Sequence, residues 1–163
     1  MATAPDLSIE LHPVGSDARP LSQLLTMFPL AAVVVDPYTH ESSWLLDTAL
    51  RILTVFRGAD VRVAFLVTGT DADGASRFLG PLTEEILTLA DPDRSMVRSM
   101  GLETLPAFVA IRHDGSVLSA AEGWDPDSWR TAASELADLA NWSLPEIPAA
   151  GDPAPYAGTA ALG

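Results

Sequence analysis

Residues 103 to 125, ETLPAFVAIRHDGSVLSAAEGWD, carry the densest run of structural signals in the chain. Two apolar runs, AFVAI and VLSAA, flank His113-Asp114-Gly115-Ser116. Asp-Gly between such runs marks a β-hairpin, because the tight turn needs residues that tolerate positive φ. The next segment, WDPDSWRTAASELADLANW, reads as a helix with Asp125 as N-cap and Pro126 in the first turn. Its early acids suit the helix dipole, and Trp129, Ala132, Ala133, Leu136 and Leu139 or Ala140 share its inner face.

Upstream, Leu30 to Val35, LAAVVV, lacks polar alternation, as expected of a central strand buried on both faces. Trp44, Leu45, Thr48, Ile52, Val55 and Phe56 then recur at helical spacing up to Gly58, and DVRVAFLVTG from Asp60 reads as a second inner strand. That order gives a β-α-β unit with a parallel strand pair. Residues 7 to 12 alternate as an edge strand would, and RPLSQLLTMF from Arg19 reads as a helix. DADGASRFLG is a short helix broken at Gly80-Pro81, and EEILTLADPD is either a helix or a short strand, read here as a strand at Ile86 to Leu89. Asp91 and Asp93 are both candidates to cap RSMVRSMG, whose Met96, Val97 and Met100 share one face and whose Gly101 ends it. The expectation is an α/β domain with a mixed central sheet of four to five strands flanked by helices, spanning residues 1 to 144. Residues 145 to 163 are rich in Pro, Ala and Gly and have no periodic apolar face. They are expected to form a disordered tail, inert unless Tyr156, its only aromatic, serves in docking.

Composition narrows the chemistry. Of 163 residues 48% are hydrophobic and 19% charged, a globular profile with a core of useful size. The formal charge is −13 and all nine cationic residues are arginine, so phosphate backbones and anionic headgroups are repelled. Neither nucleic acid nor membrane is an expected partner, whereas a basic protein surface is compatible. The amino-terminal stretch has no basic region followed by an apolar run, and the chain is read as soluble and cytoplasmic. There is no cysteine, which excludes disulfides, thiol redox chemistry, thiolate metal sites and a cysteine nucleophile.

The order of elements, with LADPDRSMVRSMGLETLP followed by the hairpin and the glycine-containing lead at Gly123 into the last helix, resembles the thioredoxin superfamily over residues 5 to 142. The resemblance implies a thioredoxin-like fold in which Pro106 is a cis-proline facing the active-site corner. It also places DPYTHESSW, Asp36 to Trp44, where the family carries Cys-x-x-Cys at the start of its long helix. One alignment sets Thr39 and Ser42 on the two cysteine positions with His40 and Glu41 between them, and another sets Ser42 and Leu45 there. Both lack sulfur, and a hydroxyl cannot exchange with disulfides.

The residues at that corner show no other catalytic pattern. Adjacent side chains at a helix start diverge, whereas a triad needs nucleophile, base and acid in one line. Thr39 or Ser42 is expected to cap the helix, Glu41 to answer its dipole, and His40 to be an exposed tip. Trp44 and Trp124 are expected to pack. Asp36 is read as an Asp-Pro turn starter or as the family's buried acid. His12, His40 and His113 are isolated, no P-loop or Gly-x-Gly-x-x-Gly run is present, and no metal or cofactor is expected.

What remains is binding. In thioredoxins, extended peptides pair with backbone beside the cis-proline, a mode that needs no sulfur. The resemblance therefore implies a contact surface of Tyr38, Thr39, His40, Glu41, Ser42 and Trp44 with Leu105 and Pro106. In its acidic, cysteine-free character the chain is similar to thioredoxin-like chaperones of nickel-iron hydrogenase maturation, which bind a basic targeting peptide on the client. Two rivals stay open: a small-molecule enzyme using the Thr39 to Ser42 corner with His40 as base, and a scaffold subunit of a larger assembly. The partner's identity and the oligomeric state are not set by the sequence.

Overall fold

The computed structural model describes residues 2–163. In chain order it contains β1 (Glu10–Pro13), β2 (Arg19–Pro20), α1 (Leu21–Leu24), β3 (Leu30–Val35), α2 (His40–Ser43), α3 (Leu46–Phe56), β4 (Arg62–Thr68) and α4 (Ala72–Leu79). A 3-10 turn over Gly80–Glu84 leads to β5 (Leu87–Asp91), α5 (Ser95–Met100), β6 (Thr104–Leu105), β7 (Ala107–Ile111), β8 (Val117–Glu122), α6 (Pro126–Ala140) and β9 (Thr159–Ala160).

The central sheet runs β2-β1-β5-β4-β3-β7-β8. Strands β5, β4 and β3 are parallel, and β7 joins β3 antiparallel with Val33 opposite Phe108. The sheet is thus mixed, and the β-α-β unit is present with Val33 opposite Phe65. The two short edge strands β1 and β2 extend it to seven, beyond the expected four to five, because His12 and Pro13 pair with Ala90 and Leu89 of β5.

Side chains alternate across the sheet with period two, which divides the core into two layers. Ala31, Val33, Val35, Phe65 and Val67 pack with Ile52, Leu53 and Phe56 of α3 and with Trp129, Ala133 and Leu136 of α6. Leu30, Ala32, Val34, Ala64 and Leu66 meet Leu21 and Leu24 of α1 and Met96, Val97 and Met100 of α5 on the opposite face. Each inner strand is buried on both sides, as its unbroken apolar run requires.

Local boundaries move where polar contacts override periodicity. The expected helix from Arg19 keeps one turn, because Arg19 and Pro20 pair with β1. The long helix expected from Trp44 begins at Leu46 as α3, preceded by the single turn α2, and Trp44 lies exposed between them while Trp124 is fully buried. Of the two candidate caps for α5, Asp91 does the work: its carboxylate accepts from the Ser95 and Met96 amides at 3.0 and 2.9 Å. At α6, Asp125 occupies the N-cap position and accepts from the Ser128 hydroxyl at 2.6 Å.

The largest departure concerns residues 145 to 163, expected as a disordered tail. They pack back across the domain. Ile147 is buried in the layer of α3 and α6, and Ala161 in the opposite one. The Asp152 carboxylate accepts from the Thr48 hydroxyl at 2.8 Å, from Arg51 at 2.6 Å and from the Ala149 amide at 2.7 Å. Arg51 and Arg130 also donate to the Glu146 and Ile147 carbonyls. Single anchors of this kind, spaced irregularly, stabilise an ordered strap that has no amphipathic period.

Candidate functional site: the corner after the first central strand

Strand β3 ends at Val35, and the corner that follows is organised by Asp36, which is 1% exposed. Its carboxylate accepts from the Tyr38 amide at 2.8 Å, an Asx turn that reverses the chain into α2. Its own amide donates to the Ser42 hydroxyl at 2.9 Å, and its carbonyl accepts from the Thr39 hydroxyl at 3.3 Å. A second carboxylate oxygen pairs with the Arg94 guanidinium at 3.2 Å. Asp36 is therefore both a turn starter and a buried acid, neutralised by an arginine.

The hydroxyls at the two candidate cysteine positions do not cap. Thr39 occupies the N-cap position of α2 without a side-chain bond to the helix. Ser42 is fully buried, turned inward to satisfy a strand-end amide. Neither is presented as a nucleophile. His40 is exposed, and among the described residues its imidazole has no hydrogen-bond partner. Tyr38 and Trp44, on either side of α2, are exposed at 72% and 58%. Among the described residues no three potential ligands cluster as a metal site, and His12 and His113 lie away in β1 and the hairpin turn.

Leu105 and Pro106 form the other wall. Both are buried, and the peptide bond between them is cis. Ahead of them the Glu122 carboxylate accepts from the Glu103 and Thr104 amides at 2.6 and 2.9 Å, which steadies β6. The other edge of β6 is not free. Thr104 pairs with Ala160 and Leu105 with Thr159, antiparallel, so the chain's own tail lies along the groove.

That tail bridges the two walls. Tyr156 exchanges backbone hydrogen bonds with Trp124 at 2.9 and 3.0 Å. Its hydroxyl donates to the Glu41 carbonyl at 2.5 Å, and its ring stands edge-on to Trp44. Burial, and then the Glu41 charge, push the Tyr156 hydroxyl pKa up to about 12. Arg94, already paired with Asp36, donates to the Ala161 carbonyl at 2.8 Å. Close approach dictates two glycines. A Cβ on Gly123 would lie 2.5 Å from the Ala157 carbonyl oxygen, and one on Gly158 would lie 2.4 Å from that of Leu105.

The corner, the proline strand and the packing of Trp124 were legible in the sequence, whereas Arg94 and the seating of residues 157 to 161 against β6 were not. Tyr156, the one aromatic in a Pro, Ala and Gly-rich stretch, was the available signal.

No protein-family model matches the sequence, and no curated protein does. Solved structures do match in shape. A secreted Mycobacterium tuberculosis disulfide oxidoreductase homologous to Escherichia coli DsbE superposes with TM-score 0.60 at 18% identity, covering 82% of this chain and 97% of its own. The thioredoxin domain of a Bacteroides vulgatus thiol-disulfide oxidoreductase gives 0.64 at 10% identity, covering 86% and 99%. A hypothetical protein from Sinorhizobium meliloti 1021 gives 0.70 at 11% identity over 99% of this chain and 94% of that one. The fold is therefore thioredoxin-like, carried by a chain with no cysteine to perform thiol-disulfide chemistry.

Proposed function

We propose that this chain is a redox-inactive binding protein that engages a protein or extended peptide client at the corner formed by Tyr38 to Ser42 and Trp44 with Leu105 and Pro106. The observation that carries the reading is that the Thr104-Leu105 edge takes an extended antiparallel segment as its partner. Backbone pairing supplies affinity without side-chain chemistry, so it operates in the absence of sulfur. The exposed Tyr38 and Trp44 of the corner offer aromatic contact area to such a client.

The formal charge of −13 favours a basic client. In its finer form the proposal is an assembly chaperone of the hydrogenase-maturation kind acting on a basic targeting segment. Its test is native affinity capture from the source organism at low salt, followed by titration of the captured segment against Trp44→Ala and His40→Ala. A stable client that Trp44→Ala weakens, that added salt weakens, and that is indifferent to His40→Ala is the expected outcome. Absence of any stable client, or a turnover lost with His40→Ala, rejects the reading.

A further inference from the structure

The seat of the tail in the groove combines tight anchors with one poor fit. Gly158 has φ +87, and any side chain there would also strike the Leu105 carbonyl, so this position admits only glycine. Tyr156 is held by Trp44, Trp124 and the Glu41 carbonyl. Ala161 is buried at 1% exposure, with its amide donating to the Glu103 carbonyl at 2.9 Å. Thr159, between them, has its hydroxyl oxygen buried with no hydrogen-bond partner among the described residues. A hydrocarbon of the same shape would avoid that desolvation loss.

Beyond Asp152 the buried apolar surface is slight, essentially Ala161 and a half-buried Tyr156, and the β6-β9 ladder pairs two residues with two. Such a segment opens at far lower cost than the whole domain. A tail that is seated, specific in backbone, imperfect at one side chain and cheap to lift has the properties of an internal competitor.

Resting on the reading of the corner as a client site, we propose that residues 156 to 163 occupy the client groove as an intramolecular competitor. A client enters by exchanging with this strand. The segment it must present is extended and carries an aromatic residue at the Tyr156 position, glycine at that of Gly158, a β-branched apolar residue at that of Thr159 and a small residue at that of Ala161. Tethering holds the tail at an effective concentration on the order of millimolar, so a client merely equal to it is excluded. One freed of the buried hydroxyl binds roughly five- to thirtyfold better than the tail's own sequence.

The test uses the full chain and a fluorescent synthetic peptide of residues 153 to 163 carrying Thr159→Val. The Gly158→Val chain, whose tail cannot seat, should bind this peptide at least about tenfold more tightly than wild type. The Thr159→Val chain, whose tail seats better, should bind it roughly tenfold more weakly. A peptide carrying Gly158→Val as well should bind none of them. In wild type, saturating peptide should strip hydrogen-exchange protection from the Ala161 amide and leave the α3 amides unchanged. Equal peptide affinity for the three chains overturns the proposal. If Gly158→Val fails to fold, the exchange measurement decides alone: peptide bound with Ala161 still protected overturns it. A client that binds wild type without exposing Ala161 sinks strand exchange and leaves the client reading intact. Peptide exchange with no client in the cell sinks the client reading instead.

Discussion

The ring of Tyr156 stands edge-on to that of Trp44, with centroids 5.6 Å apart and planes at 88°. This contact joins two residues separated by most of the chain. It ties the tail to the corner that follows the first central strand.

Raising the pH should undo it. Tyr156 titrates near 12 in the folded chain, against about 10 when exposed. The folded state therefore holds a proton that the released tail gives up between these values. The stabilisation from docking is complete below pH 10 and is lost as pH rises toward 12. Tryptophan emission followed over that range should show a transition in wild type that Tyr156→Phe lacks. A transition unchanged in that variant would mean the tail is not held through this hydroxyl.

Ser42 is expected to matter for stability. Ser42→Ala leaves the buried Asp36 amide without an acceptor and should cost about 1 to 3 kcal/mol in denaturant unfolding. Stability within a few tenths of wild type would show that the corner does not depend on this bond.

Asp152 should control the strap. Its carboxylate is 7% exposed and receives Thr48, Arg51 and the Ala149 amide, while the Arg51 side chain is 33% exposed. Allowing for solvent around Arg51, Asp152→Ala should cost about 2 kcal/mol and sensitise residues 145 to 163 to limited proteolysis. Cleavage kinetics matching wild type would contradict this anchoring role.

Asp91 opposes itself. Burial raises its pKa, outweighing the amide bonds from Met96 and Ser95 and the hydroxyl bond from Thr68. Because its folded pKa lies above the unfolded value of 3.8, its protonation favours the fold at low pH, and that gain is lost as pH rises through the folded pKa. Asp91→Ala removes the cap of α5, costing about 1 kcal/mol at neutral pH, and should also remove this acid-side gain. Equilibrium unfolding from neutral into the acid range measures both effects, and parallel curves for the two proteins would rule out the titration.

Much of the fold was legible because burial leaves a periodic trace. LAAVVV and the apolar run from Val63 to Val67 read as inner strands, and Asp114-Gly115 between two apolar runs as a hairpin turn. The α1 and α2-α3 boundaries were less legible. There a strand pairing at Arg19 and an inward serine at position 42 outweighed helical spacing.

By itself the sequence determined that this chain cannot perform thiol chemistry, since no arrangement of the backbone supplies a missing sulfur. It also determined the layered α/β core, because apolar spacing dictates which faces must meet. Only the tertiary structure decided that the tail is ordered and where it lies. Tyr156 against Trp44, Gly158 against Leu105, and Arg94 between Asp36 and Ala161 are contacts between distant segments. Their energy comes from one-to-one fit and leaves no period in the chain to read.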